Sequence, residues 1–263
     1  MSVRKYKKDE PSLEVLQPQM HAALADDTTE SYTHEGNAQY QKKDSFEIPK
    51  AFIVVLSGGT IREKNYFKYL TKNPHMFPDL RFEFFAEDRF GPSMRPLVFD
   101  LAEEKVKQYQ SSASQERPDE YYVVSDVDEF KSHLVCFQQK CQDLNINLII
   151  SNPCIEVWLY YSKKTDRFEE FPFPQIPQKI SQNVKTFVDN KIPGGVNPSK
   201  ALYALRTNTD NAKKNYFEDP AGFPTIFSTN MFKLGEKILP YVEEGLNKLQ
   251  EKNQEKKIRM TRV

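Results

Sequence analysis

The stretch that decides the fold is YYVVSDVDEF, residues 121–130. An apolar run of strand-forming residues ends there in two carboxylates, Asp126 and Asp128, and a polar segment compatible with a helix follows. In open parallel sheets, ligands and metals lie at the carboxyl ends of the strands. The pattern therefore makes both aspartates candidate ligands of a hard cation such as Mg²⁺. Two aspartates after a strand also serve as turn and N-cap residues.

Working outward from this strand, three more apolar runs predict strands at residues 51–56, 80–85 and 144–150. Helical spacing predicts helices at residues 62–70, 97–110 and 129–142 between them. The alternation predicts the α/β class, with a Rossmann-like, mostly parallel sheet flanked by helices.

Two of the other predicted strands are also followed by polar groups. Gly58 and Gly59 follow the first strand, where they could bring the backbone close to a phosphate or simply close a sharp turn. Glu63 lies just beyond them, and Glu156 follows the fourth strand, in the first turn of a predicted helix. Glu156 could act in a shared site or interact with the helix terminus. Oxygen ligands without His or Cys favour Mg²⁺ or Mn²⁺.

The rest of the chain is divided by composition. We expect a flexible arm at residues 1–48, an α/β core at 49–162, a mainly helical part at 163–250 and a basic tail at 251–263. Helices are predicted at about 200–215 and 230–250. Lys200, Arg206 and Lys213 are candidate nucleic-acid contacts, although such residues often form a solvated face.

Overall composition excludes several classes of protein. The 263 residues contain 37 basic and 37 acidic side chains, so no global positive field points to nucleic acid, which leaves a local patch open. Three cysteines without a CxxC pair argue against a disulfide framework or a zinc site. With no apolar signal segment and no run long enough for a membrane span, we expect a cytoplasmic protein that does not insert into membranes.

Three blocks of the sequence form a recognisable set: VVLSGGTIREKNYF at residues 54–67, VSDVDEF at 124–130 and ISNPCIEVWL at 150–159. Together they resemble the RloB-like family, which is similar to TOPRIM proteins. Their order and approximate spacing agree with the family pattern over residues 52–161. Later segments, residues 211–213 and 228–230, resemble the family only weakly.

The resemblance implies a TOPRIM-type sheet and Mg²⁺- or Mn²⁺-dependent cleavage of DNA or RNA in defence against phage. By position, it implies that Asp126 and Asp128 hold metal and that Glu63 and Glu156 are the other acidic site residues, Glu63 joining the metal ligands. Tyr66 and Trp158 would pack around them. The implied partners are nucleic acid and an RloA-like or OLD-like ATPase, and a homo-oligomer is compatible with these expectations.

The chain departs from the family pattern at two positions. Gly58 stands where the pattern has a glutamate, and Ser162 lies near the place of a histidine. Either Glu63 takes the role of the missing glutamate, or the site is altered and the chain is a binding subunit that depends on a partner for catalysis.

A rival resemblance comes from the LSGGTI segment, residues 56–61, which looks like the opening of asparaginase-type amidohydrolases. Ser57 or Thr60 would then be the nucleophile. The second motif of that family, His-Gly-Thr-Asp-Thr, has no counterpart in the sequence.

Overall fold

In the computed structural model, the described residues are 48–92, 95–112, 117–127, 131–167 and 180–261. The chain divides into the units Met1–Ser45 and Phe46–Val263. The described residues all belong to the second unit. The arm predicted at residues 1–48 lies outside the described residues, except for residue 48 itself.

The core of the molecule is one five-stranded sheet. Its strands are β1 (Ala51–Ser57), β2 (Leu80–Ala86), β3 (Glu120–Asp126), β4 (Ile146–Asn152) and β5 (Ser228–Thr229). Their spatial order is β2-β1-β3-β4-β5, and the pairs β1–β2, β1–β3 and β3–β4 are parallel. Among the strands of the described ranges, only β5 is antiparallel, and it pairs Thr229 with Ser151. The four predicted strands and the α/β class are therefore confirmed.

Helices cover the sheet. They are α1 (Arg62–Tyr66), α2 (Lys68–Lys72), α3 (Val98–Ser111), α4 (Lys131–Asp143), α5 (Glu156–Tyr160), α6 (Ile180–Lys191), α7 (Pro198–Ala201), α8 (Leu205–Lys214) and α9 (Phe232–Thr261), with 3-10 turns at Pro74–Met76 and Leu202–Ala204. The predicted helix at 62–70 is interrupted at Phe67, and the one at 200–215 is divided by the second 3-10 turn. The last helix continues through the predicted basic tail to Thr261 instead of ending near residue 250.

Alternate side chains of the buried strands supply two separate cores. On one face, Ile53, Val55 and Val124 pack with residues of α1, α5 and α9. On the other face, Val54, Leu56 and Val123 pack with α3 and α4. Strands covered on both faces need apolar side chains at every position, which explains their continuous apolar runs. Among the helices of the described ranges, none combines the length and the apolar character needed to cross a bilayer.

The order of the strands fixes where a ligand can approach. The chain passes from β1 outward to β2 and then returns to place β3 on the other side of β1, so the direction of winding changes between β1 and β3. In doubly wound sheets, the crevice at such a switch point, at the carboxyl ends of the strands, receives ligands.

Candidate active site

A small cavity of about 100 Å³ lies at this switch point. Residues that follow the carboxyl ends of β1, β2 and β3 form its walls. They are Gly58, Gly59, Glu63, Glu87, Asp88, Arg89, Phe90, Pro96, Ser125 and Asp126. Two of the four predicted acidic site residues, Glu63 and Asp126, therefore face one space.

The glycine turn after β1 brings Glu63 against the backbone. The Gly58 N–H donates to Val124 O at 3.0 Å, and the Gly59 N–H donates to Ser57 Oγ at 3.0 Å. A Cβ atom on Gly59 would lie 2.0 Å from Glu63 Oε2, so the observed position of the Glu63 carboxylate requires a glycine here. A carboxylate thus occupies the space over Gly59 in which the phosphate-cradle interpretation would place a phosphate.

Glu63 and Glu156 form a pair of buried carboxylates. Their exposed fractions are 6% and 3%, respectively. Burial is the main cause that raises the pKa of Glu63 above its ordinary 4.5, and the charge of Glu156 raises it further. A hydrogen bond from the backbone of Glu63 and the charges of Lys185 and Arg62 act in the opposite direction. The two acids are close enough for the ionisation of one to oppose that of the other.

Glu156 has little compensation for its burial. Arg62 Nε lies 3.5 Å from Glu156 Oε1, an ion-pair distance, yet neither oxygen of Glu156 accepts a hydrogen bond from the residues that the structure describes. Glu156 therefore does not interact with the helix terminus as a capping residue would, by accepting a backbone N–H. A buried carboxylate without hydrogen bonds is costly, and the ion pair with Arg62 offsets only part of that cost.

The structure describes one of the two aspartates in the Asp-x-Asp pair. Asp126 is the last residue of β3 and is partly exposed at the cavity, whereas Asp128 lies outside the described residues. Between them, the Val127 N–H lies 3.0 Å from Ser151 O and 3.1 Å from Pro153 O. This contact joins the end of β3 to the end of β4, the segment that leads to Glu156.

Two acids at the end of β2 were missed from the sequence. Glu87 accepts hydrogen bonds from Arg89 Nε at 2.8 Å and Nη2 at 2.5 Å, and these bonds lower the pKa of Glu87 to about 2. Asp88 Oδ2 accepts from Thr60 Oγ1 at 2.9 Å. The sequence could have predicted them, because Glu87 and Asp88 directly follow β2, just as Asp126 ends β3.

A row of asparagines, two on α8 and one directly after it, holds α5 and with it Glu156. Asn208 Nδ2 donates to Trp158 O at 3.3 Å, and Asn211 Nδ2 donates to Tyr161 O at 3.0 Å and Lys164 O at 3.1 Å. Asn215 Nδ2 donates to Thr165 O at 3.1 Å. These amides satisfy carbonyls at and beyond the C-terminal end of α5, which a helix terminus otherwise leaves without partners.

Several other predicted residues have positions of interest. Tyr66 and Trp158 are fully buried with ring centroids 6.0 Å apart, consistent with packing roles. Ser162, near the expected histidine, is buried and donates to Leu159 O at 2.7 Å.

The amidohydrolase interpretation would make Ser57 a nucleophile. Ser57 has no exposed surface, and its Oγ accepts a hydrogen bond from the Gly59 N–H, so it is poorly placed to attack a substrate.

The three candidate nucleic-acid residues differ in their ionic partners. Arg206 makes two hydrogen bonds to Glu243 at 2.7 and 2.6 Å, and Lys213 pairs with Glu236 at 2.6 Å, so both join α8 to α9. Lys200 is exposed and makes no ion pair within the described ranges.

The donor set suits a hard cation in its chemistry. In the part of the chain that the structure describes, no group of three or more His, Cys, Asp or Glu side chains is arranged to hold a metal ion. Mg²⁺ commonly uses only one or two carboxylates and completes its shell with water and substrate phosphate. Glu63, Asp126 and Glu156 fit that pattern because they concentrate negative charge at the edge of the sheet.

Comparison with known proteins gives one family. A model described as RloB-like protein matches residues 52–238, well over half of the chain. Neither a curated protein nor a solved structure matches the chain significantly.

Proposed function

Since this chain belongs to the RloB-like family, we propose that it is a TOPRIM-type phosphodiesterase that cleaves nucleic acid with the help of Mg²⁺ or Mn²⁺. Its site would lie at the carboxyl ends of β1, β3 and β4. The bound cation would supply positive charge that stabilises the attacking and leaving oxygens of the phosphoryl group.

The observation that carries the proposal is the buried pair Glu63 and Glu156. Two carboxylates removed from water, one of them without hydrogen bonds from the described residues, leave an excess of negative charge at a ligand-binding edge of the sheet. Such a pair is unfavourable for folding alone, because the charges of Arg62 and Lys185 offset only part of the cost of burying it. A divalent cation drawn to this edge would remove the excess.

Each residue then has a separate role. Asp126, at the cavity, and Asp128 would hold the cation, with Glu63 on its other side. The raised pKa of Glu63 brings its titration closer to neutral pH than that of an ordinary carboxyl, which suits a group that accepts and returns a proton. Glu156 would sustain that pKa through its charge.

A second candidate function is supported by Gly58 and Arg62. Gly58 places no carboxylate in the cavity, and Arg62 already provides a positive charge 3.5 Å from Glu156. A chain with this site could bind nucleic acid within a defence complex and leave cleavage to its partner. In either case we propose an RloA-like ATPase as that partner, and phage defence as the setting.

A cleavage assay tests the two functions against each other. The full chain is incubated with tRNA, single-stranded DNA or plasmid, with Mg²⁺ or Mn²⁺, and with or without the ATPase. Glu63→Gln, Glu156→Gln and Asp126→Asn should each abolish metal-dependent cleavage, whereas the exposed Glu251→Gln should cleave as the wild type does. Intact binding without cleavage in every combination would favour the subunit function. Equal binding of Mn²⁺ by wild type and by the Asp126→Asn plus Asp128→Asn variant would exclude the metal site.

A further inference from the structure

We infer that a second, larger groove binds single-stranded nucleic acid next to the carboxylate site. The groove has a volume of about 620 Å³ and lies between the 3-10 turn at Leu202–Ala204, α2 and the last turns of α9. Its lining residues include Tyr69, Lys163, Lys200, Tyr203, Asn253 and Lys256. This inference rests on the proposed function, since it names the form of nucleic acid that the site would act on.

The groove is positively charged in a chain whose total charge is zero. Lys163, Lys200 and Lys256 are exposed, and none of them forms an ion pair with the residues that the structure describes. No acidic residue is found among the described residues of the lining. By contrast, Arg206, Lys213 and Lys248 on the neighbouring helices all pair with glutamates. Three such lysines, in a lining without an acid, suit a ligand with several negative charges, such as a phosphate backbone.

Two tyrosines give the groove aromatic surface. Tyr69 and Tyr203 lie with ring centroids 5.2 Å apart and planes inclined by 31°. Both are half-buried, because part of each ring packs against the core while the rest faces the groove. Asn253 Nδ2 donates to Tyr203 Oη at 2.7 Å, which fixes the ring from the side of α9. The rings are therefore held in place as a surface on which a base can stack.

The combination of lysines and aromatic rings distinguishes single strands from duplexes. Proteins that bind single strands pair a basic groove with aromatic side chains, on which bases stack with little regard to sequence. In a duplex, the faces of the bases are already covered by neighbouring bases, so they cannot reach rings at the wall of a groove. A small anionic ligand would use the lysines but would leave most of the 620 Å³ unfilled.

The groove and the carboxylates share their supporting elements. Tyr69 on α2 follows Glu63 on α1 by six residues, and Lys163 follows Glu156 on α5 by seven residues. Ser199 Oγ, next to Lys200, donates to Asn65 O on α1 at 2.9 Å. These links connect the groove to α1 and α5, the helices that carry the buried acids.

Binding is measured without divalent cations, so that it does not depend on cleavage. Fluorescence polarisation of a labelled single-stranded 12-mer is followed in EDTA with the full chain, at several salt concentrations, beside a duplex of the same sequence. Lys200→Gln plus Lys256→Gln should weaken binding of the single strand about tenfold and reduce the salt slope by about 1.4, the value for two lost phosphate contacts. Lys214→Gln plus Lys252→Gln removes the same charge from exposed positions outside the groove and should bind as the wild type does.

The stacking surface is tested by substitution of Tyr69. Tyr69→Leu should weaken binding about tenfold, whereas Tyr69→Phe should retain wild-type affinity. Thermal melting of each variant excludes unfolding as the cause. Equal effects of the groove and control pairs, or equal affinity for strand and duplex, would overturn the inference. Cleavage by the groove variants at the wild-type rate and affinity would overturn it while leaving the proposed function intact. Groove-dependent binding without any metal-dependent cleavage would support it and contradict the proposed function.

Discussion

The carboxylate of Glu63 lies directly over the backbone of Gly59, so closely that a Cβ on Gly59 would be 2.0 Å from Glu63 Oε2. The neighbouring Gly58 differs, since the nearest atoms to its own Cβ position, among them Ser125 Oγ, lie 4.0 Å away. The two glycines of this turn therefore differ, since a side chain at position 59 would collide with Glu63, whereas a Cβ at position 58 would meet only ordinary contacts.

Gly59→Ala should displace the Glu63 side chain without unfolding the protein. The methyl group meets the end of a flexible side chain, which can move away, so the melting temperature should change little. Metal-dependent cleavage should be lost together with Mn²⁺ affinity. Gly58→Ala is the matched control, and its cleavage rate should stay near that of the wild type. Equal activity of the two variants would show that the position of Glu63 is unimportant.

Gly58→Glu should increase the proposed activity. Gly58 does not have a positive φ, and its Cβ position is open toward the cavity. A carboxylate there would add a cation ligand beside Asp126, and we expect Mn²⁺ affinity and cleavage to rise on the order of tenfold. Isothermal titration with Mn²⁺ and the plasmid assay measure the two effects. Gly58→Gln, of nearly the same shape, should give no gain, and a gain with Gln would refute the charge argument.

Glu63→Gln should stabilise the protein at neutral and alkaline pH. The pKa of Glu63 is raised above its unfolded value of 4.5, so its contribution to stability is complete below pH 4.5 and is lost as pH rises through the folded pKa. The variant carries no charge to bury and avoids that loss. Its melting temperature should exceed that of the wild type at about pH 8, and the difference should vanish as pH falls below the unfolded pKa.

Glu156 provides the control for this titration. Removing its charge in Glu156→Gln should lower the pKa of Glu63, which carbon NMR of the carboxyl groups can follow directly. A pKa of Glu63 that is unchanged by this substitution would show that the two acids do not interact.

Asn230→Ala should destabilise the edge of the sheet. Ile150 N–H donates to Asn230 Oδ1 at 2.6 Å, and Asn230 Nδ2 donates to Leu148 O at 3.2 Å. Loss of the side chain leaves backbone groups of β4 without partners, and we expect a decrease of about 3 kcal/mol in the free energy of unfolding. Asn147→Ala removes an exposed amide from the same strand and should cost less than about 0.5 kcal/mol. Urea denaturation compares them.

Gly245→Ala should reverse the usual effect of alanine in a helix. In an open helix the change stabilises by about 1 kcal/mol. In α9, however, the new methyl would lie 2.4 Å from Phe77 Cε1 and 2.5 Å from Met76 O, which is backbone. Overpacking should therefore cost about 1–3 kcal/mol. Asn247→Ala, exposed on the same helix, should be neutral or slightly stabilising. A stabilised Gly245→Ala variant would mean that α9 can move away from Phe77.

The strands and the main helices were predictable because their signals are local and strong. The runs at β1 and β4 are apolar at nearly every position, as strands covered on both faces must be. The start of α7 was also readable, since Asn197 Oδ1 accepts from Ser199 N at 3.0 Å, as expected for an N-cap residue before proline.

Other elements depend on contacts that are distant in sequence. β5 has only two polar residues and gives no alternation, and its place is set by the Ser151–Thr229 hydroxyl pair at 2.8 Å and by Asn230. The helix α6 buries only Val184 and Val188, too narrow an apolar stripe to stand out beside a proline-rich segment. In the site, the acids at strand ends were readable, but the contact of Glu63 with Gly59 and the pairing of Arg206 with Glu243 were not.

The bond between Ile150 and Asn230 has a consequence for synthesis on the ribosome. Strands β1 to β4 are complete in the nascent chain 78 residues before Asn230 is translated, as the difference between positions 152 and 230 shows. During that interval the outer edge of β4 has no partner from β5, and unpaired edges of slow-forming parallel sheets are sites of aggregation. A polypeptide stalled before Asn230 should therefore bind chaperones and remain sensitive to protease. Both the chaperone binding and the protease sensitivity should end once Asn230 has emerged from the ribosome.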